Sequence, residues 1–287
     1  MTPPIPKIPK SAAAHSQREF ANTAFNQHHG IQTVERFGEK KDPDGDGVVD
    51  EMTYGDVTAV TVFMATLPAP GRVIPNTPAT ERAVLQGERL FSEIGCVRCH
   101  VPSLSLSRDG VVFTEPGPFN SSVRGTRESK GALKVDLTDD SLPAPRLLAT
   151  AARPDSIAVP AYTDLKLHDI TDPADRDAAE PLDINQPRGS KLYRQGNRKF
   201  LTRRLWGAAN EPPYFHHGLF TTLREAVVAH SGEATEERRA FAALTVTNQD
   251  AILTFLGTLQ VLPPGTRSLI VDEHYRPKTW PPASNPR

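Results

Sequence analysis

The sequence predicts a mainly α chain that carries a long loop-rich insertion and an N-terminal extension. Three observations predict it. Apolar residues recur at helical spacing in four segments, each bounded by capping or breaking residues. Pro is abundant, at 27 of 287 residues, while hydrophobic residues make up 38% and aromatics only 7%. Between about 101 and 195 the chain has many Pro, Gly and Asp and little periodicity. A lean apolar content with much Pro implies modest helices and long ordered loops.

Residues 1 to about 40 start polar and Pro-rich and turn weakly helical around Arg18 to Phe25. Asp42-Pro-Asp-Gly-Asp-Gly-Val-Val-Asp50-Glu51 is an acidic loop. A helix should follow it, with Val60, Phe63, Met64 and Leu67 at i, i+3, i+4 and i+7, ending at Pro68, Pro70 and Gly71. The next helix starts at Thr77-Pro78, a cap with Pro in the first turn. Val84, Gly87, Phe91 and Ile94 line one side of it, and Gly95 stops it just before Cys96. The insertion holds short strand-like pieces at Val111 to Thr114 and Leu133 to Leu137.

Thr222 and Glu225 form a capping box for a short helix whose one face carries Leu223, Ala226, Val227 and His230, with Gly232 as its stop. A last helix from Thr247 has the stripe Ile252, Phe255, Leu256 and Leu259, closed by Pro263-Pro264. The expected organisation is an extension with the acidic loop over 1–75, a domain over 76–265 interrupted at about 101–195, and a Pro-rich tail over 266–287.

Cys96-Val-Arg-Cys99-His100 is the most specific motif, and the chain has no other Cys. CxxCH reads as covalent attachment of haem c: Cys96 and Cys99 take the porphyrin vinyl groups and His100 becomes an iron ligand. The competing readings are weaker. A zinc site wants two more soft ligands. A redox dithiol wants a strand before it and a helix after it, whereas helix precedes this motif. With a haem implied, the layout suits a cytochrome c-like core, in which a helix containing Gly87 and Phe91 crosses a terminal amphipathic helix. His230, which continues an apolar helical face, becomes the candidate second iron ligand. Met1, Met52 and Met64 all precede the motif, and Met64 lies on an apolar stripe where Met usually fills core.

Asp42, Asp44 and Asp46, with Gly47 at the sixth position and Asp50 at the ninth, begin like a Ca²⁺ loop. The twelfth position is Thr53, and Glu51 is out of register. Two readings stay open, a Ca²⁺ site and a solvated acidic turn. Net charge is -1, which gives no general basis for binding nucleic acid. No apolar run of about 18 residues occurs, so no transmembrane segment is expected. MTPPIPKIPK lacks the apolar core of a signal peptide. Because haem is attached to CxxCH outside the cytoplasm, a periplasmic location is nonetheless expected, with this chain as the later part of a longer protein.

Phe91-Ser-Glu-Ile-Gly-Cys-Val-Arg-Cys-His-Val-Pro-Ser-Leu104 resembles the C-terminal haem domain of bacterial di-haem oxidoreductases, relatives of the di-haem cytochrome c peroxidases. Pro213-Tyr-Phe-His-His-Gly218 with Thr222-Leu-Arg-Glu-Ala-Val-Val-Ala-His230 looks like the family's second signature, and Tyr54-Gly-Asp-Val-Thr-Ala59 like its inter-haem region. The similarity spans about residues 20 to 265. It implies that His230 stands where the peroxidases place a distal Met, giving a bis-His iron. It puts His216 among the haem surroundings and Arg203 and Arg204 near the haem, either as propionate partners, Arg203 first, or as a solvated charged face. It also implies Ca²⁺ between haem domains. His217 departs from the family's Asp. His168, in Leu165-Lys-Leu-His-Asp169, matches a family stretch to which the residues assign no role.

Family members carry two CxxCH motifs and this chain has one. The implied function is an electron-transfer domain working with a donor or acceptor protein or a second haem domain, and stand-alone oxidoreductase catalysis is doubtful. The alternatives are a self-sufficient haem peroxidase or oxidase with a labile distal His, and a haem-stabilised calcium-binding interaction module.

Overall fold

The structure, a computed structural model, describes residues 16–107, 111–117, 132–149, 154–172, 174, 179–183, 186–187 and 189–282. Its helices are α1 (Gln17–His29), α2 (Val34–Phe37), α3 (Tyr54–Ala65), α4 (Pro78–Glu93), α5 (Leu223–Ala229), α6 (Thr235–Ala243) and α7 (Val246–Gly257). Its strands are β1 (Gly71–Val73), β2 (Leu104–Ser107), β3 (Val112–Glu115), β4 (Leu133–Asp136), β5 (Ser156–Val159), β6 (Leu167–Asp169), β7 (Lys199–Leu201), β8 (Leu259–Gln260) and β9 (Ile270–Val271). Helix accounts for 36% and strand for 15%.

The expectation of a mainly α, cytochrome c-like fold is therefore wrong: the protein is mixed α/β, with several small sheets. The physical reason lies in segments too short and too Pro-interrupted to show a period. Runs of two to four residues satisfy their backbone groups by pairing across the chain, and sequence spacing carries no signal for such pairs. Only β3 and β4 stand where strand-like pieces are legible.

The chain forms two compact units. The first comprises Met1–Leu67 and Ser107–Leu142, the second Pro68–Leu106 and Pro143–Arg287.

In the first unit, α1 and α3 pack together and β3 pairs antiparallel with β4, Val112 opposite Asp136. Arg18 is their buried centre, at 1% exposure. Its guanidinium pairs with Glu35 and, at 2.7 Å, with Glu115, and it also donates to Thr58 Oγ1 at 2.8 Å. Three ionised groups out of water are tolerable only because each is hydrogen-bonded. The stripe expected on α3 does not face the core. Phe63 and Leu67 are exposed, and Val57 and Thr61 are the buried positions. Met52 is core and Met64 Sδ accepts from Gln17 at 3.1 Å, so both are accounted for within this unit.

In the second unit α4 crosses α7. A Thr77 cap and Pro78 open α4, and Thr245 caps α7, whose first residue, Val246, comes one before the expected start at Thr247. Leu90 and Phe91 of α4 join Ile252, Phe255, Leu256 and Leu259 in one core. Helix α6, which the sequence reading left out, adds Phe241 to it. A three-stranded sheet flanks the helices: β1 runs antiparallel to β8 and parallel to β9. Strand β9 lies in the segment expected to be a tail. Beyond it, Lys278 pairs with Glu81 of α4 at 2.6 Å and Trp280 Nε1 donates to Glu88 at 3.2 Å.

Gly87 permits the helix crossing. A Cβ there would stand 2.1 Å from the Ala251 carbonyl oxygen and 2.9 Å from Phe255 Cβ. Gly87→Ala gains roughly 1 kcal/mol of helix propensity, but it forces a backbone atom apart, which typically costs about 1–3 kcal/mol. A net loss of stability is expected, read as a lower urea midpoint by far-ultraviolet circular dichroism. An unchanged or raised midpoint would show that α4 and α7 separate freely.

Candidate functional site

The site grows from the end of α4. That helix stops at Glu93, and Gly95 takes φ +95°, a left-handed conformation open to Gly. The chain then makes one 3₁₀ turn, Cys96–Arg98, with Cys99 as its cap. Arg98 of the turn pairs with Glu237 of α6, anchoring it from outside. Helix therefore precedes the dithiol and no helix follows it directly, which is the reverse of a thioredoxin-like setting.

Both cysteines are free thiols and half-buried. Cys96 packs against the helical core, and burial pushes its pKa up to about 11. Burial raises Cys99 as well, helped by Asp164 and Glu233. Neither is an activated thiolate.

His100 follows at once. Its Nδ1 lies 3.0 Å from the Tyr162 carbonyl oxygen. His230 Nδ1 lies 2.7 Å from the Ala226 carbonyl oxygen, one turn back along α5. A carbonyl only accepts, so each Nδ1 carries the proton and each Nε2 keeps its lone pair. Among the described residues neither Nε2 has a hydrogen-bond partner. Burial holds both imidazoles below the ordinary His pKa; His100 falls to about 4, with His230 contributing to the drop. Both rings are thus neutral near pH 7, each with its lone pair on the nitrogen that a metal takes.

The two rings stand 6.3 Å apart, centre to centre. With metal–imidazole bonds of about 2.0–2.1 Å and about 1.1–1.2 Å from ring centre to nitrogen, imidazoles on opposite sides of one metal have centres about 6.3 Å apart. Tetrahedral ligands would bring them to roughly 5 Å. The ring separation of 6.3 Å is thus within the span of two imidazoles on one metal.

Two strained residues support the pair. Tyr162, whose carbonyl holds His100, has φ +52°, and Phe215, whose ring meets His230 edge-on at 5.2 Å, has φ +65°. A bulky residue in this region costs of order 1–3 kcal/mol and persists only where surrounding structure over-determines it. Sequence patterns carried no sign of either.

The remaining candidates fall elsewhere. His216 stacks flat on Phe200, 4.3 Å away, and lines a cavity separate from the paired imidazoles. Arg203 is exposed, and Arg204 stands 3.8 Å from Glu211. Gly232 does not stop α5, because His230 is already the cap; it allows close approach to Asp169, whose oxygen would lie 2.2 Å from a Cβ. Asp42, Asp44 and Asp46 bring carboxylate oxygens within 4.8 Å of one another. Their loop is self-satisfied: Asp42 accepts backbone N–H groups from Gly45, Asp46 and Gly47. Asp50 instead holds the Lys40 N–H at 2.7 Å, and Glu51 the Gln32 N–H.

His168, whose role the sequence left blank, ties the loop beside the site to the segment after α5. Its Nε2 meets Asp164 at 2.9 Å and its Nδ1 meets Glu233 at 2.8 Å. Burial opposes its charge, but hydrogen bonds to Glu233 and Asp164 outweigh burial and raise its pKa. The His168 bond holds Glu233 down, and the same bond with a backbone N–H outweighs burial to hold Asp164 down. The His168 contribution is complete below the unfolded pKa of about 6.5 and fades as pH rises through the raised folded value. The carboxylate contributions vanish as pH falls below about 4. The stability difference between the native chain and His168→Gln should therefore peak between about pH 4.5 and 6.5 and shrink above that. A difference that grows from pH 6 to pH 9 in urea titrations would contradict this.

No helix of the described residues is long and apolar enough to cross a membrane. No protein-family model, curated protein or solved structure matches the chain.

Proposed function

We propose that this chain binds one haem c through thioether bonds at Cys96 and Cys99, with His100 and His230 as axial ligands, and serves as an electron-transfer unit. We further propose that it works in an extracytoplasmic compartment within a protein of the di-haem oxidoreductase type, exchanging electrons with a partner protein or a second haem domain. The observation that carries the reading is the pair of neutral imidazoles 6.3 Å apart, each with Nδ1–H given to a backbone carbonyl, beside two free thiols.

Bound there, haem supplies a one-electron couple. The chain's own residues do the rest. The carbonyls of Tyr162 and Ala226 orient the two rings and make their Nε2 atoms better donors. Phe91 packs 6.3 Å from the His100 ring and Phe215 5.2 Å from the His230 ring, which keeps both rings in place and limits water. With both His100 and His230 on the metal, no open position would remain for peroxide, and ligands held this rigidly would change little with the charge of the centre. Outer-sphere transfer would thus be favoured over peroxidase chemistry, and His230 as a ligand in place of Met would favour a lower potential.

Exported protein, produced with a haem-attachment system, should show a Soret band and the mass of the polypeptide plus one haem. The bare polypeptide mass without a Soret band would end the proposal. His230→Ala should convert a low-spin spectrum to a high-spin one, because a methyl group cannot ligate. An unchanged electron-paramagnetic resonance spectrum would remove His230 from the site while leaving the thioether attachment standing.

A further inference from the structure

The second unit holds a cavity of about 450 Å³, within the range of small-molecule sites. Neither cysteine nor His100 or His230 is among the described residues lining it, but Ala229 and Ser231, which flank His230, are, so the cavity adjoins the candidate haem site and its ligand is tested separately from haem attachment. Phe215 forms part of its wall.

The wall is aromatic, and one pair of its rings is parallel. Phe200 and His216 stack at 4.3 Å with planes 12° apart. His217 lies 4.7 Å from His216 and meets Phe220 at 5.3 Å. The parallel Phe200–His216 pair can be extended by a further planar ring laid offset against its outer face.

The polar groups sort by what they already hold. Glu225 is committed to the N-terminal cap of α5, accepting from Thr221 and Thr222. Asp172 accepts the Ala174 N–H at 2.9 Å. Arg224 is taken by Asp250 and by Gln249 at 2.6 Å. Arg238 of α6 is half-buried and lines the cavity, and among the described residues it makes no hydrogen bond or ion pair. The next residue, Arg239, pairs with Glu236 at 3.0 Å. His217 Nδ1 accepts the Leu219 N–H at 3.1 Å, so in the neutral ring the proton sits on Nε2, a donor. The donors left without an acceptor are thus one guanidinium and the imidazole N–H groups, beside the parallel Phe200–His216 pair, with Asp172 and Glu225 as the carboxylates of the lining. A guanidinium fork matches a carboxylate bidentately.

We propose that this cavity is a binding site for a small planar conjugated carboxylate, its ring stacked on the wall around Phe200 and His216 and its carboxylate held by Arg238. The probes are 2-naphthoate, cyclohexanecarboxylate (same charge, not planar) and 2-naphthylmethanol (planar, uncharged), titrated calorimetrically into the full chain. Saturable binding of 2-naphthoate at one per chain is expected, with the other two weaker by about tenfold or more, because each lacks one of two charge- or stacking-based contacts. Arg238→Gln should weaken 2-naphthoate about tenfold, and Arg239→Gln should leave it unchanged. The His216 ring resonance, assigned by its loss in His216→Asn, should shift during the titration, which reports on the wall without a disruptive core variant. No saturable binding at millimolar 2-naphthoate, equal affinity for cyclohexanecarboxylate, equal affinity in Arg238→Gln, or a static His216 resonance would each overturn the proposal.

Discussion

Close approach of α4 and α7 at Gly87 is the constraint on which the second unit depends. With the Ala251 carbonyl against the Gly87 backbone, Phe91 reaches Phe255 at 5.4 Å, and Tyr162 lies on both rings, at 6.3 and 5.8 Å. Tyr162 in turn holds His100 through its carbonyl. The position of the His100 imidazole is thus linked to a glycine thirteen residues upstream, within α4. On another side of the same core, the Arg72 guanidinium of β1 lies over Phe255 at 5.4 Å and Trp280 at 5.7 Å, and pairs with Glu88. Cations over aromatic faces are worth about 0.5–2 kcal/mol each, enough to hold a three-residue strand and the C-terminal segment onto α4.

Much of that frame was legible. The caps at Thr77 and Thr222, the Gly87–Phe91 face and the stripe of α7 each rest on local chemistry acting over three or four residues, and such chemistry reads the same in sequence and in fold. What was illegible is non-local. The pairing of β1 with β8 and β9 joins segments some two hundred residues apart, and α6 is a short helix rich in charge with one buried aromatic, Phe241. The α3 stripe misled for a related reason: a mostly apolar helix shows several plausible faces, and the buried Arg18 network selected the one with Val57 and Thr61.

The candidate site divides in the same way. Cys96, Cys99 and His100 declare themselves by spacing, and His230 by its place at the end of an apolar face. Their supports do not. Tyr162 and Phe215 act through a backbone carbonyl and a ring held at positive φ, properties that any residue type could contribute. His168 needed two carboxylates from different segments, four and sixty-five residues away, before its role could be seen.

The strain at Tyr162 and Phe215 bears on what the site is for. Stability alone would favour Gly or Asn at such positions, and neither bulky side chain is required for the backbone turn itself. Both are tied to the imidazole pair instead, one by its carbonyl and one by its ring. The thiols point the same way. At a pKa of about 11, Cys96 is ionised in roughly one molecule in ten thousand at pH 7, too few for a resting redox nucleophile. A CxxC pair whose thiols are both raised in pKa, whose first Cys packs on the apolar core and which is followed at once by a neutral, oriented imidazole lacks the features of an exchanging dithiol. Its packing and its oriented imidazole are the features that the proposed covalent anchor would need.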